Sequence, residues 1–226
     1  MVKVLYLIRH GQTQWNVQRR MQGRLDSPLT EAGIVQAHAH GRLLKSAAAI
    51  SSMFVSPSGR TRETAYIVNS YVHGSVDYAE ELLERDLGEW SGMTMDEVSE
   101  AFPAAFRKRQ EDPYHFTPPS GENLQDMSER VAVFLDDLLA SEIDQAALVT
   151  HQVMSRVILS RILELNEVET NRLVHPNDVV YRIDVTSGAP EISHYLLGDG
   201  PRDGLLQHSD VETIARLDTR DTDHRS

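Results

Sequence analysis

The chain contains no cysteine in 226 residues. That excludes disulfide staples, thiolate nucleophiles and cysteine-ligated zinc, and it fits a reducing compartment. Long hydrophobic runs are also missing. No segment approaches the roughly 20 consecutive apolar residues that span a bilayer. The apolar run near the start, Val2 to Ile8, is too short for a signal-peptide core and leads straight into Arg9 and His10. A cytoplasmic protein is expected. Basic residues are in deficit, with 22 Lys and Arg against 34 Asp and Glu and a net charge of −12. An acidic chain makes a poor general polyanion surface, so a nucleic-acid partner is excluded. Any anion it handles must meet a local cluster of Arg and His. No Gly-x-Gly-x-x-Gly run follows the first apolar segment, which argues against a dinucleotide-binding domain. There is no internal repeat and no low-complexity block.

What is present is ordinary for a globular fold: 40 % hydrophobic and 25 % charged residues. The length suits one domain with a substantial core. Val2–Ile8 reads as a strand covered on both faces. Thr30 reads as the N-cap of a helix carrying Ile34, Ala37, Gly41 and Leu44 at spacings of three and four. Ser52–Val55 reads as a strand, Arg60–Tyr71 as a helix, and Val76–Leu83 as holding a third strand. Ser91–Glu122 contains Pro103, Pro113, Pro118 and Pro119 and reads as a lid or insertion with short helical pieces. Leu124–Leu139 returns to helix, Ala146–Val149 to strand and Val153–Leu163 to helix. Asp178–Val185 and Glu191–Leu197 read as closing strands around Ser187-Gly188. The expected organisation is a single domain over 1–198 and a polar, mobile tail over 199–226.

Alternating strands and helices imply an α/β class with a mostly parallel sheet. Ligands of such sheets bind beyond the carboxyl ends of the strands. Arg9 and His10 follow the first strand, Ser56 and then Arg60 the second, Glu84 the third, and His151 the strand at Ala146–Val149. This set suits phosphoryl chemistry. Two guanidiniums bind phosphoryl oxygens with paired hydrogen bonds. A neutral histidine can attack phosphorus. A second histidine can stabilise the charge that shifts in the transition state. A carboxylic acid can protonate the leaving oxygen. Phosphoryl transfer asks mainly for positioning and electrostatics, which this group supplies without metal.

Each residue taken singly has a plainer explanation. An Arg-His pair after a strand is commonly a surface or capping feature. Arg60 alone would be a solvated helix-start charge, Glu84 and Glu89 surface charges, and His151 a cap. Joint occurrence at strand ends is what favours chemistry. Trp15 and Trp90 read as packing residues, and His38, His40 and His73 as structural or surface. Arg107-Lys108-Arg109 reads as a solvated face, with capture of a second anionic group on the substrate as its functional alternative.

The stretch Arg9-His10-Gly11-Gln12-Thr13-Gln14-Trp15-Asn16 resembles the RHGxTxWN signature of the histidine phosphatase superfamily, which includes cofactor-dependent phosphoglycerate mutases. Gln22 to Gly33, Ser56 to Ala65, Leu82 to Trp90 and Val149-Thr150-His151 resemble its further motifs in order. The resemblance covers about residues 2–197. It implies a three-layer α/β/α sandwich and a phosphohistidine intermediate on His10. It also implies that Arg9, Arg60 and His151 bind the phosphoryl group and that Glu84 serves as acid and then base. Thr13, Asn16, Gln22, Gly23 and Gln152 are expected to assist in phosphate or substrate binding. Gln152 stands where the family often has Gly, so it narrows the pocket or adds a donor.

The resemblance implies no metal and no cofactor for a phosphatase, and 2,3-bisphosphoglycerate for a mutase. Mutases typically have a basic residue at the position of Asp86, and a longer, more basic insertion. Asp86 and the segment Phe102–Glu122 look more like the phosphatase members. Hydrolysis of a small phosphorylated metabolite is therefore the expected activity. The alternatives are a phosphoglycerate mutase and an inactive relative that only binds a phosphorylated ligand. No membrane partner is expected, and a homodimer is compatible with the sequence.

Overall fold

The computed structural model describes residues 2–197 and 199–210. Its strands are β1 Val4–Arg9, β2 Ser52–Val55, β3 Ser75–Tyr78, β4 Gln145–Thr150, β5 Val179–Asp184, β6 Glu191–Leu196 and β7 Arg202–Asp203. Its helices are α1 Gln14–Val17, α2 Glu31–Ala47, α3 Gly59–Val72, α4 Met95–Ala101, α5 Pro103–Glu111, α6 Leu124–Ala140, α7 Gln152–Leu163 and α8 Glu167–Arg172. Among the described residues the sheet runs β3-β2-β4-β1-β5-β6-β7. The first four in that order are mutually parallel, and β5, β6 and β7 are antiparallel additions.

Strand alternation explains the layers. On β1, Val4, Tyr6 and Ile8 face a cluster with Leu44 of α2 and Ala65 and Val68 of α3. Leu5 and Leu7 face the opposite cluster, with Val131 and Leu135 of α6 and Ile158 of α7. Both faces are thus covered by helices, and β1 and β4 read as continuous apolar runs because neither face meets water. The fold is the expected three-layer α/β/α sandwich.

Two boundaries differ from the sequence reading. The third strand ends at Tyr78, and a 3₁₀ turn over Glu80–Leu82 follows. β3 is an edge strand with mostly exposed side chains, so it lacks the packing that would extend it. Glu84 therefore lies on a loop past the strand end. The domain also continues beyond residue 198. β7 pairs with β6, and Leu206 is buried in the α6–α7 cluster with its amide donating to Tyr181 Oη (3.1 Å). The polar composition of this stretch hid one apolar anchor, and the described part of the tail, to residue 210, packs onto the fold. Residues 211–226 of the expected tail lie outside the described residues.

Among the described residues no helix is long and apolar enough to cross a membrane. The insertion over Ser91–Glu122 carries α4 and α5 as expected. Glu122 fastens its far end: Oε1 accepts from the amide of Asp86 (2.8 Å) and from Arg130 Nη2 (2.8 Å).

Candidate active site

The parallel register brings the strand ends together. His10 N donates to the Thr150 carbonyl (3.0 Å), and Ser56 N donates to that of Val149 (2.9 Å). The residues after β1, β2 and β4 thereby become neighbours, although Arg9 and His151 lie far apart in sequence. The loop after β1 is pressed onto α2 through two glycines. A Cβ on Gly33 would meet the Gln12 carbonyl oxygen at 2.1 Å, and one on Gly11 would meet the Gly33 oxygen at 2.3 Å. Bare backbone at both positions is what lets this loop seat His10 rigidly.

His10 is 3 % exposed and His151 is fully buried. Their rings meet edge to face with centroids 5.4 Å apart. His10 Nδ1 lies 2.8 Å from the Gly11 carbonyl oxygen. A carbonyl can only accept, so Nδ1 carries the proton and Nε2 keeps its lone pair. Burial, reinforced by the Arg9 and Arg60 charges, pushes the His10 pKa well below the ordinary imidazole value. Burial, with Arg60, His10 and Arg9, does the same for His151. Both rings are neutral at neutral pH.

Arg60 is 1 % exposed. Its Nη1 donates to the Leu25 carbonyl (2.7 Å) and to Asp26 Oδ1 (2.9 Å), and its Nη2 to the Gly23 carbonyl (2.9 Å). Arg9 Nη1 donates to the His175 carbonyl (2.8 Å), and burial lowers the Arg9 pKa to about 10. Each guanidinium is thus fixed through its Nη groups while its buried Nε has no partner. Arg9 Nε, Arg60 Nε, His151 Nδ1 and Gln22 Oε1 are all buried polar atoms without a protein partner. Such atoms are costly unless a ligand satisfies them, and four of them belong to this one group of residues.

Glu84 stands across the pocket. Its Oε1 accepts from the amides of Arg85 (2.9 Å) and Met154 (3.2 Å), and its Oε2 from that of Val153 (3.2 Å). The first turn of α7 therefore holds the carboxylate by its orphan N–H groups. Thr150 Oγ1 donates to the Leu82 carbonyl (2.7 Å) and ties the loop that carries Glu84 to the end of β4.

The remaining expected residues divide. Asn16, Gln22, Gly23 and Gln152 line the cavity, together with Arg9, His10, Arg60 and Glu84. Asn16 Oδ1 is taken by the Thr13 amide (3.0 Å), which leaves its Nδ2 as the available donor. Thr13 is fully buried and caps α1, with its hydroxyl accepting from the Asn16 amide (3.2 Å), so it positions Asn16 and does not line the cavity. Gly23 sits at φ +53° and offers its carbonyl to Arg60. Trp90 is both a packing residue, stacked on Phe116 with centroids 5.1 Å apart, and part of the cavity wall.

Asp86 is turned away from the site. Its Oδ1 accepts from the Gly88 amide (2.9 Å) and it does not line the cavity. Asp86, which stands where mutases typically have a basic residue, thus does not face the cavity. Arg109, read as part of a solvated face, lines the cavity instead, because α5 packs that side of the helix inward. Sequence reasoning missed Arg156 on α7, a cavity residue whose only signal was its place one turn after Gln152. It placed Ser56 at the second strand's end but gave it no role; its hydroxyl lies 2.7 Å from His151 Nε2. A second omission was Asn177, whose Nδ2 donates to the His10 carbonyl (2.7 Å).

Comparisons with known proteins identify the family. The family model of the histidine phosphatase superfamily (branch 1) matches residues 5–197. A probable phosphoglycerate mutase, GpmB, of Salmonella arizonae is 34 % identical over 183 residues, spanning 80 % of this chain and 84 % of that protein. The alpha-ribazole phosphatase of Shigella flexneri superposes with a TM-score of 0.78 at 25 % identity, covering 87 % of this chain and 96 % of that one. A mycobacterial glucosyl-3-phosphoglycerate phosphatase superposes with a TM-score of 0.75 at 26 % identity, covering 88 % and 100 %. With its motifs in order and their side chains gathered at the sheet's carboxyl edge, the chain belongs to the histidine phosphatase superfamily.

Proposed function

We propose that the protein is a phosphomonoester hydrolase working through a phosphohistidine on His10. The observation that carries this reading is the orientation of His10: its proton is committed to the Gly11 carbonyl and its Nε2 is free beside two guanidiniums with unpartnered Nε atoms. In the first step Nε2 attacks phosphorus, the N–P bond forms and the bond from phosphorus to the ester oxygen breaks. Glu84, in its acid form, gives its proton to the departing oxygen. In the second step water attacks phosphorus, Glu84 takes the water's proton, and inorganic phosphate leaves with His10 restored. For the acid role the Glu84 carboxyl swings one oxygen off the α7 amides toward the leaving group.

Arg9 and Arg60 hold the equatorial oxygens, where charge accumulates, through fixed and dehydrated donors. His151 Nδ1–H, Asn16 Nδ2 and the Gln22 and Gln152 side chains complete the cradle. Neither step calls on a metal ion, since the imidazole supplies the nucleophile and the guanidiniums supply the charge. The substrate is a small cytoplasmic phosphorylated metabolite, which suits a cavity of about 330 Å³.

A mutase reading is favoured by the relationship to the probable phosphoglycerate mutase. Trapping and turnover experiments separate the readings. Protein quenched in alkaline detergent after incubation with a radiolabelled phosphomonoester is expected to carry an alkali-stable, acid-labile label, absent from His10→Ala, and to release inorganic phosphate steadily. If phosphoglycerate isomerisation depends on added 2,3-bisphosphoglycerate and far outpaces hydrolysis, the protein is a mutase. If no ester labels His10, the protein only binds its ligand.

A further inference from the structure

The cavity holds far more positive charge than one phosphoryl group requires. Seven arginines line it (9, 19, 20, 60, 85, 109 and 156), against one acidic residue, Glu84, among the described residues. Most of these arginines are accounted for. Arg9 and Arg60 belong to the phosphoryl cradle. Arg20 forms a two-pronged pair with Glu97 (2.8 and 3.0 Å). Arg85 is pinned by the carbonyls of Glu122 and Phe116. Arg19 is exposed at the rim.

Arg109 and Arg156 are different. Neither has a hydrogen-bond or ion-pair partner among the described residues, and both are half-buried. Arg156 Nε is buried and unpartnered. Burial lowers the pKa of both guanidiniums; at Arg156 the Glu84 carboxylate opposes that shift and the Arg109 charge adds to it. Glu84 in turn is occupied by three backbone amides. Two guanidiniums lining one cavity, partly dehydrated and without an ion-pair partner among the described residues, cost free energy that an anion would recover. Arg109 comes from the insertion and Arg156 from the helix that starts at the catalytic edge, so they approach the cavity from opposite elements.

We propose that Arg109 and Arg156 form a second anion subsite, so that the preferred substrate is a small phosphomonoester with a further anionic group at its far end. The shared chemistry is a planar or tetrahedral set of anionic oxygens matched to paired guanidinium N–H groups, whether carboxylate or phosphate. Met21, Leu87, Met95 and Val153 give the same cavity an uncharged stretch of wall, which suits a carbon chain linking the two anions.

This subsite rests on the phosphatase reading, and the test keeps the two apart. The probes are glycerol 3-phosphate, which lacks a second anion, 3-phosphoglycerate, which adds a carboxylate, and fructose 1,6-bisphosphate, which adds a phosphate. The wild type is expected to show kcat/KM at least about tenfold higher for one of the two probes with a second anionic group than for glycerol 3-phosphate, the scale of one hydrogen-bonded charge contact. The favoured probe identifies the group. Arg109→Met is expected to lower that ratio about tenfold. Arg156→Lys, which keeps the charge and the fold but loses the fork, is expected to lower it partially. An equal preference in the wild type, or a uniform loss across all three probes in both variants, would overturn the subsite. If the wild type hydrolyses none of them, the phosphatase reading fails. The subsite is then judged by calorimetry with His10→Ala, where 3-phosphoglycerate or the bisphosphate must bind more weakly to the Arg109→Met double variant. Unchanged binding there also overturns it.

Discussion

Replacing Ser56 by Ala tests how the site sets the proton on its second histidine. Ser56 Oγ and His151 Nε2 are 2.7 Å apart and both residues are fully buried. His151 is neutral, so its ring has one N–H to place. If the Ser56 hydroxyl donates to Nε2, the proton sits on Nδ1, the atom with no protein partner. Nδ1–H then becomes a preset donor for a phosphoryl oxygen. Without the hydroxyl, nothing holds the proton on Nδ1, and the tautomer with its proton on Nε2 offers no donor to the charged oxygen. A hydrogen bond to a charged group contributes roughly 1.5–3 kcal/mol, so kcat should fall about 10- to 100-fold. The buried Nε2 left without a partner costs a further ~1–3 kcal/mol of stability, or about 2–4 °C of melting temperature per kcal/mol at this chain length. The measurements are kcat on p-nitrophenyl phosphate, a thermal melt, and ¹⁵N NMR of the His151 ring. The reasoning is refuted if the wild-type ring carries its proton on Nε2, or if the variant melts lower yet keeps kcat within about twofold.

Other consequences are open to direct measurement. Glu84→Gln should slow alkyl phosphates by about 100-fold, the scale of general acid catalysis, and slow p-nitrophenyl phosphate much less. Equal losses would remove Glu84 from the acid role. Acid should unfold the protein early, because burial lowers the pKa of His10, His40, His151 and His175, the last to about 3. The unfolded chain takes up these protons near 6.5 while the folded chain does not, so stability falls as pH drops below 6.5 and keeps falling toward the folded-state values. Linkage gives about 1 kcal/mol for each histidine that stays uncharged between pH 6.5 and 5.5, about 3 kcal/mol from His10, His151 and His175 together. Urea midpoints unchanged over that interval would contradict it. Gly33→Ala should cost roughly 1–3 kcal/mol by overpacking and lower kcat as well, since its Cβ would strike the Gln12 carbonyl behind His10. A variant with normal stability and normal kcat would show that the loop does not need this contact.

The amino-acid sequence alone determined the layers and most of the catalytic set. Alternating apolar residues fix which strand face meets which helix. A parallel sheet puts the ends of β1, β2 and β4 on one edge, so Arg9, His10, Arg60 and His151 converge by topology. Local pattern carries such information because it repeats over several residues.

Tertiary structure decided what depends on single side-chain directions. Nothing local distinguishes Arg109 from Arg107 or Lys108, yet only packing of α5 turns Arg109 into the cavity. Nothing local turns Asp86 toward the Gly88 amide and away from substrate. The link from Ser56 to His151 spans 95 residues of chain, and Leu206 finds its place only because Tyr181 and the α6–α7 core are already there. Periodic burial is written along the chain, whereas the aim of one polar atom is set by neighbours from distant segments, and hydrogen bonds and dehydrated charges respond to that aim.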